Sequence, residues 1–123
     1  MLHIITDLRD NLLTLIKDDP VRPELTPEFR VNSNSQIFVL RDDVTDEPLA
    51  VTCVKFLTVV PAAVEDLVDL VESATTAVFY TIWSYAAGAG RELIVRAQES
   101  IKQEFPDIDT YVTLSPKTEM AKR

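Results

Sequence analysis

Residues 77–101 read AVFYTIWSYAAGAGRELIVRAQESI, and this one stretch decides the fold. Its first half, through Ser84, is dense in β-branched and aromatic residues, which suit a strand packed on a pleated surface. Its second half spaces Leu93, Ala97 and Ile101 four apart, a series that Phe105 continues, with Arg91, Glu92, Arg96, Glu99 and Lys102 on the other face. That is the apolar stripe of an amphipathic helix over 91–105, closed by Pro106. Between the two halves lie Gly88 and Gly90, the only two glycines in 123 residues. A strand that passes through a glycine turn into a helix presents unpaired backbone N–H groups at the positive end of the helix dipole. Such a turn suits a phosphate or pyrophosphate. Glycine there also serves simply to relieve steric strain, so spacing alone leaves both readings open. Arg91 adds a guanidinium that could reach an anion held by the turn. The pattern G-x-x-x-x-G-K-[ST] is absent, and Leu93 stands where a dinucleotide fingerprint needs its third glycine. A P-loop and a Rossmann fingerprint are thereby excluded.

Working outward, residues 110–114 read as a strand, so strand–helix–strand from 76 to 114 predicts a right-handed parallel crossover. Upstream, 36–41 and 48–60 are strand-like and are separated by an acidic turn at 42–47, the pattern of an antiparallel hairpin. Ile5, Leu8, Leu12, Leu15 and Ile16 recur at helical spacing and predict a helix over 4–18. Pro20, Pro23 and Pro27 then predict an extended connector. Val64, Leu67, Val68 and Val71 predict a short helix with Pro61 near its start, and Ser115-Pro116 reads as a cap opening a last helix that includes Glu119, Met120 and Ala121. The expected fold is a single α+β domain: a mixed sheet, antiparallel before Ser84 and parallel across the 91–105 helix.

Charge and composition limit the function. Apolar residues make up 46% and charged residues 26% of the chain, ordinary for a globular domain. The net charge of −8 argues against nucleic acid as the main partner. Acidic excess is confined to residues 1–74, with 14 acidic and 6 basic side chains, whereas 75–123 carry 6 of each. An anion at the glycine turn therefore escapes the full repulsion of the acidic half. Cys53 is alone in an apolar run and reads as a buried, inert thiol; His3 is the only histidine and lies near the N-terminus. The paired carboxylates Asp18-Asp19 and Asp42-Asp43 read as solvated turn residues, and no metal-ligand spacing is present. Asp7, Arg9 and Asp10 interrupt the opening apolar stretch, so no leader is expected, and no run is long enough to span a bilayer. A cytoplasmic protein is the expectation.

The order of elements resembles the GNAT superfamily of acyl-CoA N-acyltransferases. The motif that carries the resemblance is [RQ]-x-x-G-x-[GA], present here as Tyr85-Ala86-Ala87-Gly88-Ala89-Gly90 with Tyr85 in place of Arg or Gln. A weaker downstream motif, Asn then Ala, falls on Thr118 and Ala121. The resemblance implies an acyl-CoA such as acetyl-CoA as cosubstrate, with its pyrophosphate on the amides of Gly88, Ala89, Gly90 and Arg91. It also implies a pantetheine running along the strand at Phe79, Tyr80 and Thr81. Transfer of the acyl group to an amine is the implied reaction, and the acceptor is not readable. A non-catalytic CoA-binding or protein-interaction module is the alternative. Tyr80 and Tyr85 are candidate acids. The family's usual acid tyrosine and its last two strands would fall beyond Arg123, so the domain is expected to be incomplete at that end.

A narrower resemblance joins residues 111–116, YVTLSP, to malonyl-CoA decarboxylases, whose catalytic domain is itself GNAT-like. It implies that Ser115 matches their reactive serine, although Lys117-Thr118-Glu119 replaces the Pro-Gly-Phe that follows, and His3 is at the wrong end to match their histidine. A helix cap is the competing role for Ser115. The edge left at 110–114 predicts a homodimer through the neutral half of the chain.

Overall fold

The computed structural model describes residues 1–58 and 74–114. Its elements run β1 (Leu2–Ile5), a 3-10 helix (Asn11–Asp18), α1 (Pro27–Arg30), β2 (Ser35–Arg41), β3 (Pro48–Leu57), β4 (Thr76–Ser84), α2 (Ala89–Glu104) and β5 (Thr110–Thr113). The five strands form one sheet in sequence order, with β1 to β4 antiparallel and β5 parallel to β4. The α+β class, the antiparallel hairpin predicted from 36–41 and 48–60 and the parallel crossover are as the sequence predicts, with β3 ending at Leu57. The helices proposed for 61–71 and 115–121 lie outside the described residues.

Helices cover both faces of the sheet. Leu93, Ala97 and Ile101 of α2 are fully buried against Phe38, Val54 and Phe79. The other face packs Ile37, Val39, Cys53, Val78 and Tyr80 beneath the 3-10 helix and α1, with Leu12, Leu15, Ile16 and Phe29 laid over it. Burial on both sides explains why β3 is an almost unbroken apolar run rather than an alternating one. Its Lys55 is fully buried; the ammonium donates to the Phe29 carbonyl at 2.8 Å and to the Ser35 hydroxyl, and sits 4.1 Å from the Phe29 ring centroid. α1 is anchored to the sheet by that contact.

Two expectations fail upstream. Residues 4–18 are not one helix. Ile4 and Ile5 instead pair with Phe38 and Ile37 in the β1–β2 ladder, where β-branched side chains fit well. The chain then turns, and the Asp10 carboxylate accepts from the Leu12 N–H at 2.8 Å to open the 3-10 helix. Leu8, counted into the helical stripe, is exposed. The proline connector is not extended throughout either, since Thr26 caps α1 and Pro27 starts it. A hydroxyl residue followed by proline is a helix-start signal that the proline spacing obscured.

Candidate functional site

β4 carries a bulge. Cys53 faces Thr81 and the next residue of β3, Val54, faces Phe79, so Tyr80 is the extra residue. The bulge resets the side-chain alternation. Val78 and Tyr80 point beneath the 3-10 helix, and beyond the bulge so does Trp83. Pairing with β5 reaches only Phe79↔Thr113 and ends with the Leu114 N–H donating to the Phe79 carbonyl at 3.1 Å. From Tyr80 to Ser84, therefore, β4 has β3 along one edge and no β5 partner among the described residues on the other. That edge leads directly into the glycine turn.

Residues 84–88 are exposed, and Ala86, Ala87 and Gly88 carry at most a methyl group. Gly88 sits at φ +79°, the left-handed region where a Cβ is strained, and its missing side chain faces open space. It caps α2 without offering a side-chain acceptor. The Ala89 N–H donates to the Ala86 carbonyl at 3.2 Å and the Glu92 N–H to the Gly88 carbonyl at 3.4 Å, while the N–H groups of Gly90 and Arg91 have no acceptor among the described residues. These are the orphan donors that a helix start offers to an anion. Gly90 has an ordinary backbone, and a Cβ there would meet only the Ile82 Cδ1 at 3.7 Å. No neighbouring atom among the described residues requires glycine at this position.

The remaining predicted side chains are placed as follows. Phe79 and Tyr80 are core residues on opposite faces of the sheet; Tyr80 packs edge-on against Phe29 at 5.6 Å between ring centroids. Burial drives the Tyr80 hydroxyl well above its usual pKa, so it is unsuited to donate a proton to a ligand on the strand edge. The Thr81 hydroxyl donates to Asp19 Oδ1 at 2.9 Å. Tyr85 is half-exposed, but its hydroxyl accepts from Trp83 Nε1 at 3.0 Å and donates to Asp18 at 2.8 Å, tying the turn to the 3-10 helix. The side chains of 79–81 are thus all engaged within the domain. Arg91 is exposed at the first turn of α2, and Glu92 pairs with Arg96 at 3.1 Å. Ser115 lies outside the described residues. Cys53 is fully buried, and burial pushes its thiol up to about 11, as an inert core cysteine requires. His3 bonds Asp10 at 2.8 Å on β1, three strands from β4 and so roughly 14 Å away by ordinary strand spacing.

Sequence reasoning missed a buried polar cluster behind the bulge. Asp19, read as a solvated turn residue, is buried and pairs with the fully buried Arg30 at 2.8 Å. Its other oxygen accepts from the N–H groups of Val21 and Arg22. Burial alone would raise the Asp19 pKa, but these donors together with Arg30 and Thr81 hold it below the usual carboxylate value. Asp42, by contrast, accepts from Val44 and Thr45 N–H groups in an exposed hairpin turn, as expected. Two surface cavities among the described residues lie away from the turn. One of about 320 Å³ opens beside Phe56 and residues 104–108, and a groove of about 560 Å³ runs between Leu2 and α2. Neither is lined by the turn.

Comparison with known proteins assigns this architecture. The model of the malonyl-CoA decarboxylase C-terminal domain matches residues 28–123, more than half of the chain. The chain belongs to that family. No curated protein matches it significantly. Among solved structures, malonyl-CoA decarboxylase from Agrobacterium vitis is 26% identical at a TM-score of 0.78, over 94% of this chain and 33% of that one. The enzyme from Rhodopseudomonas palustris is 28% identical at a TM-score of 0.72, over 94% of this chain and 30% of that one. The chain thus spans about a third of the length of these relatives. A ribosomal-protein-alanine N-acetyltransferase from Brucella melitensis shares the fold at 12% identity and a TM-score of 0.57, covering 92% of this chain and 78% of that one. The GNAT-like fold is therefore as the sequence predicts. The malonyl-CoA decarboxylase likeness is the stronger of the two, and it reaches far beyond residues 111–116.

Proposed function

We propose that this chain binds an acyl-CoA thioester, with the pyrophosphate on the start of α2 and the pantetheine along the open edge of β4, and that it supports decarboxylation of malonyl-CoA. The observation that carries the CoA site is the pair of N–H groups on Gly90 and Arg91 that have no acceptor among the described residues, at the end of a strand whose second edge has no described partner from Tyr80 onward. Family membership supports the choice of reaction. In it the bond between the carboxylate and Cα breaks, CO2 leaves, and the electron pair passes into the thioester enolate, which takes up a proton at carbon to give acetyl-CoA. A backbone N–H aimed at the thioester oxygen stabilises that enolate. Ser115 is the residue proposed to match the family's reactive serine.

Acyl transfer to an amine uses the same CoA site and differs only in the fate of the thioester. Decarboxylation releases CO2 and keeps the thioester, whereas acyl transfer releases free CoA thiol. The chain incubated with malonyl-CoA is expected to yield CO2 and acetyl-CoA without thiol. Thiol released only with an amine present would favour the transferase, and CoA binding with neither product would leave the non-catalytic module. Pairing of two copies through β5 belongs to the same proposal. Light scattering at high micromolar concentration is expected to give twice the chain mass, and a monomer with its fold intact would contradict that part. No described helix is long and apolar enough to cross a membrane.

A further inference from the structure

The β4 bulge, which lies where the described pairing with β5 ends, is held in place from behind by the segment between the 3-10 helix and α1. Cys53 and Thr81 face each other at the last regular pairing before the extra residue. The buried ion pair straddles that pairing. The Thr81 hydroxyl donates to Asp19 at 2.9 Å, and Arg30 Nη1 donates to the Cys53 Sγ at 3.6 Å while bonding Asp19 at 2.8 Å. The bulged residue is held as well. Arg22 Nε donates to the Tyr80 carbonyl at 2.8 Å, and the Arg22 carbonyl in turn accepts from Arg30 Nη2 at 2.8 Å. A bulge leaves its extra residue outside the regular ladder, and a buried carbonyl left there needs a donor. Arg22 supplies it. The neighbouring Thr81 carbonyl accepts from the Thr52 hydroxyl at 2.9 Å.

A buried ion pair is a poor source of net stability compared with apolar packing, and its best-attested use is to specify one arrangement among several. Here each partner contacts one member of the cross-strand pair beside the bulge. We infer that Asp19, Arg30 and Arg22 are positioning residues, which fix the β4 bulge so that the edge from Tyr80 onward is preset for the acyl-pantetheine arm. This inference rests on the acyl-CoA reading above. None of the three touches the ligand; they act through Tyr80 and Thr81.

The test separates the two halves of the ligand. ADP carries a pyrophosphate for the glycine turn but has no pantetheine, whereas acetyl-CoA has both. Calorimetry on the full chain compares wild type, Arg22→Gln and Thr81→Val. Each variant removes one donor to the bulge or to Asp19 and leaves the ion pair intact. Both variants are expected to bind ADP within twofold of wild type and to bind acetyl-CoA about tenfold more weakly, a loss of roughly 1.4 kcal/mol. Arg22→Lys, which keeps a donor, is expected to recover part of that loss. Equal weakening toward ADP and acetyl-CoA would mark a general loosening of the domain and overturn the inference, as would unchanged acetyl-CoA affinity in both variants. Wild-type protein that binds acetyl-CoA no better than ADP would instead overturn the acyl-CoA reading itself.

Discussion

An Arg30→Ala protein is expected to lose roughly 3–5 kcal/mol of folding stability, because it strands an ionised Asp19 with no countercharge in the interior. The replacement also removes donors to the Leu25 and Arg22 carbonyls, so the connector loses its ties to α1. A domain of ordinary stability holds only about 5–15 kcal/mol in total, so urea unfolding should shift to much lower midpoints or be lost altogether. Replacing both partners together, as Asp19→Leu with Arg30→Met, should cost far less, since apolar groups of similar volume relieve the desolvation of both charges. If the single and double variants were equally unstable, packing rather than charge pairing would be the contribution of this site. The pH dependence follows from the lowered Asp19 pKa. Its contribution is complete above the ordinary value of 3.8 and is lost as the pH falls below that toward the lower folded value. Acid unfolding monitored near pH 3 should therefore be steeper in wild type than in the double variant.

The second large effect is at the turn. Gly88→Val forces a β-branched side chain into φ +79°, a strain of order 1–3 kcal/mol that the turn can relieve only by rearranging. Rearrangement would move the N–H groups of Gly90 and Arg91, and CoA affinity is expected to fall at least tenfold while the sheet stays folded. Gly90→Ala is the informative companion. Its Cβ meets only ordinary contact with Ile82, and alanine is the better helix former by roughly 0.5–1 kcal/mol, so the variant should be as stable as wild type or more so. A phosphate lying against the backbone there would nevertheless meet the new methyl group, and CoA affinity should fall. Unchanged affinity in both variants would remove the turn from the account.

The 76–114 unit was legible because its signals are local. β-branched and aromatic residues, two glycines and a four-residue apolar repeat each act within a few positions of the element they specify. The hairpin was legible for the same reason. Residues 4–18 were not, because Leu2–Ile5 is a strand only by virtue of its pairing with β2, more than 30 positions away. The cluster behind the bulge was hidden more deeply. Asp19 meets Arg30 11 residues on and Thr81 62 residues on, and nothing in the Asp-Asp-Pro sequence distinguishes a buried carboxylate from a solvated one. The bulge itself left no sequence mark, since Tyr80 and Thr81 both suit a regular strand. Of the candidate site, the turn was visible in the two glycines, whereas the engagement of the Thr81 and Tyr85 hydroxyls by the acidic end of the 3-10 helix depends on the tertiary fold.

If the start of α2 receives the CoA pyrophosphate, the amide resonances of the turn report on it directly. Titration of the 15N-labelled chain with CoA is predicted to shift the amides of Gly88, Ala89, Gly90 and Arg91 most strongly, with smaller shifts from Tyr80 to Ser84 along the strand edge. Absence of shifts at these amides under millimolar CoA, or shifts confined to the cavity beside Phe56, would contradict the account.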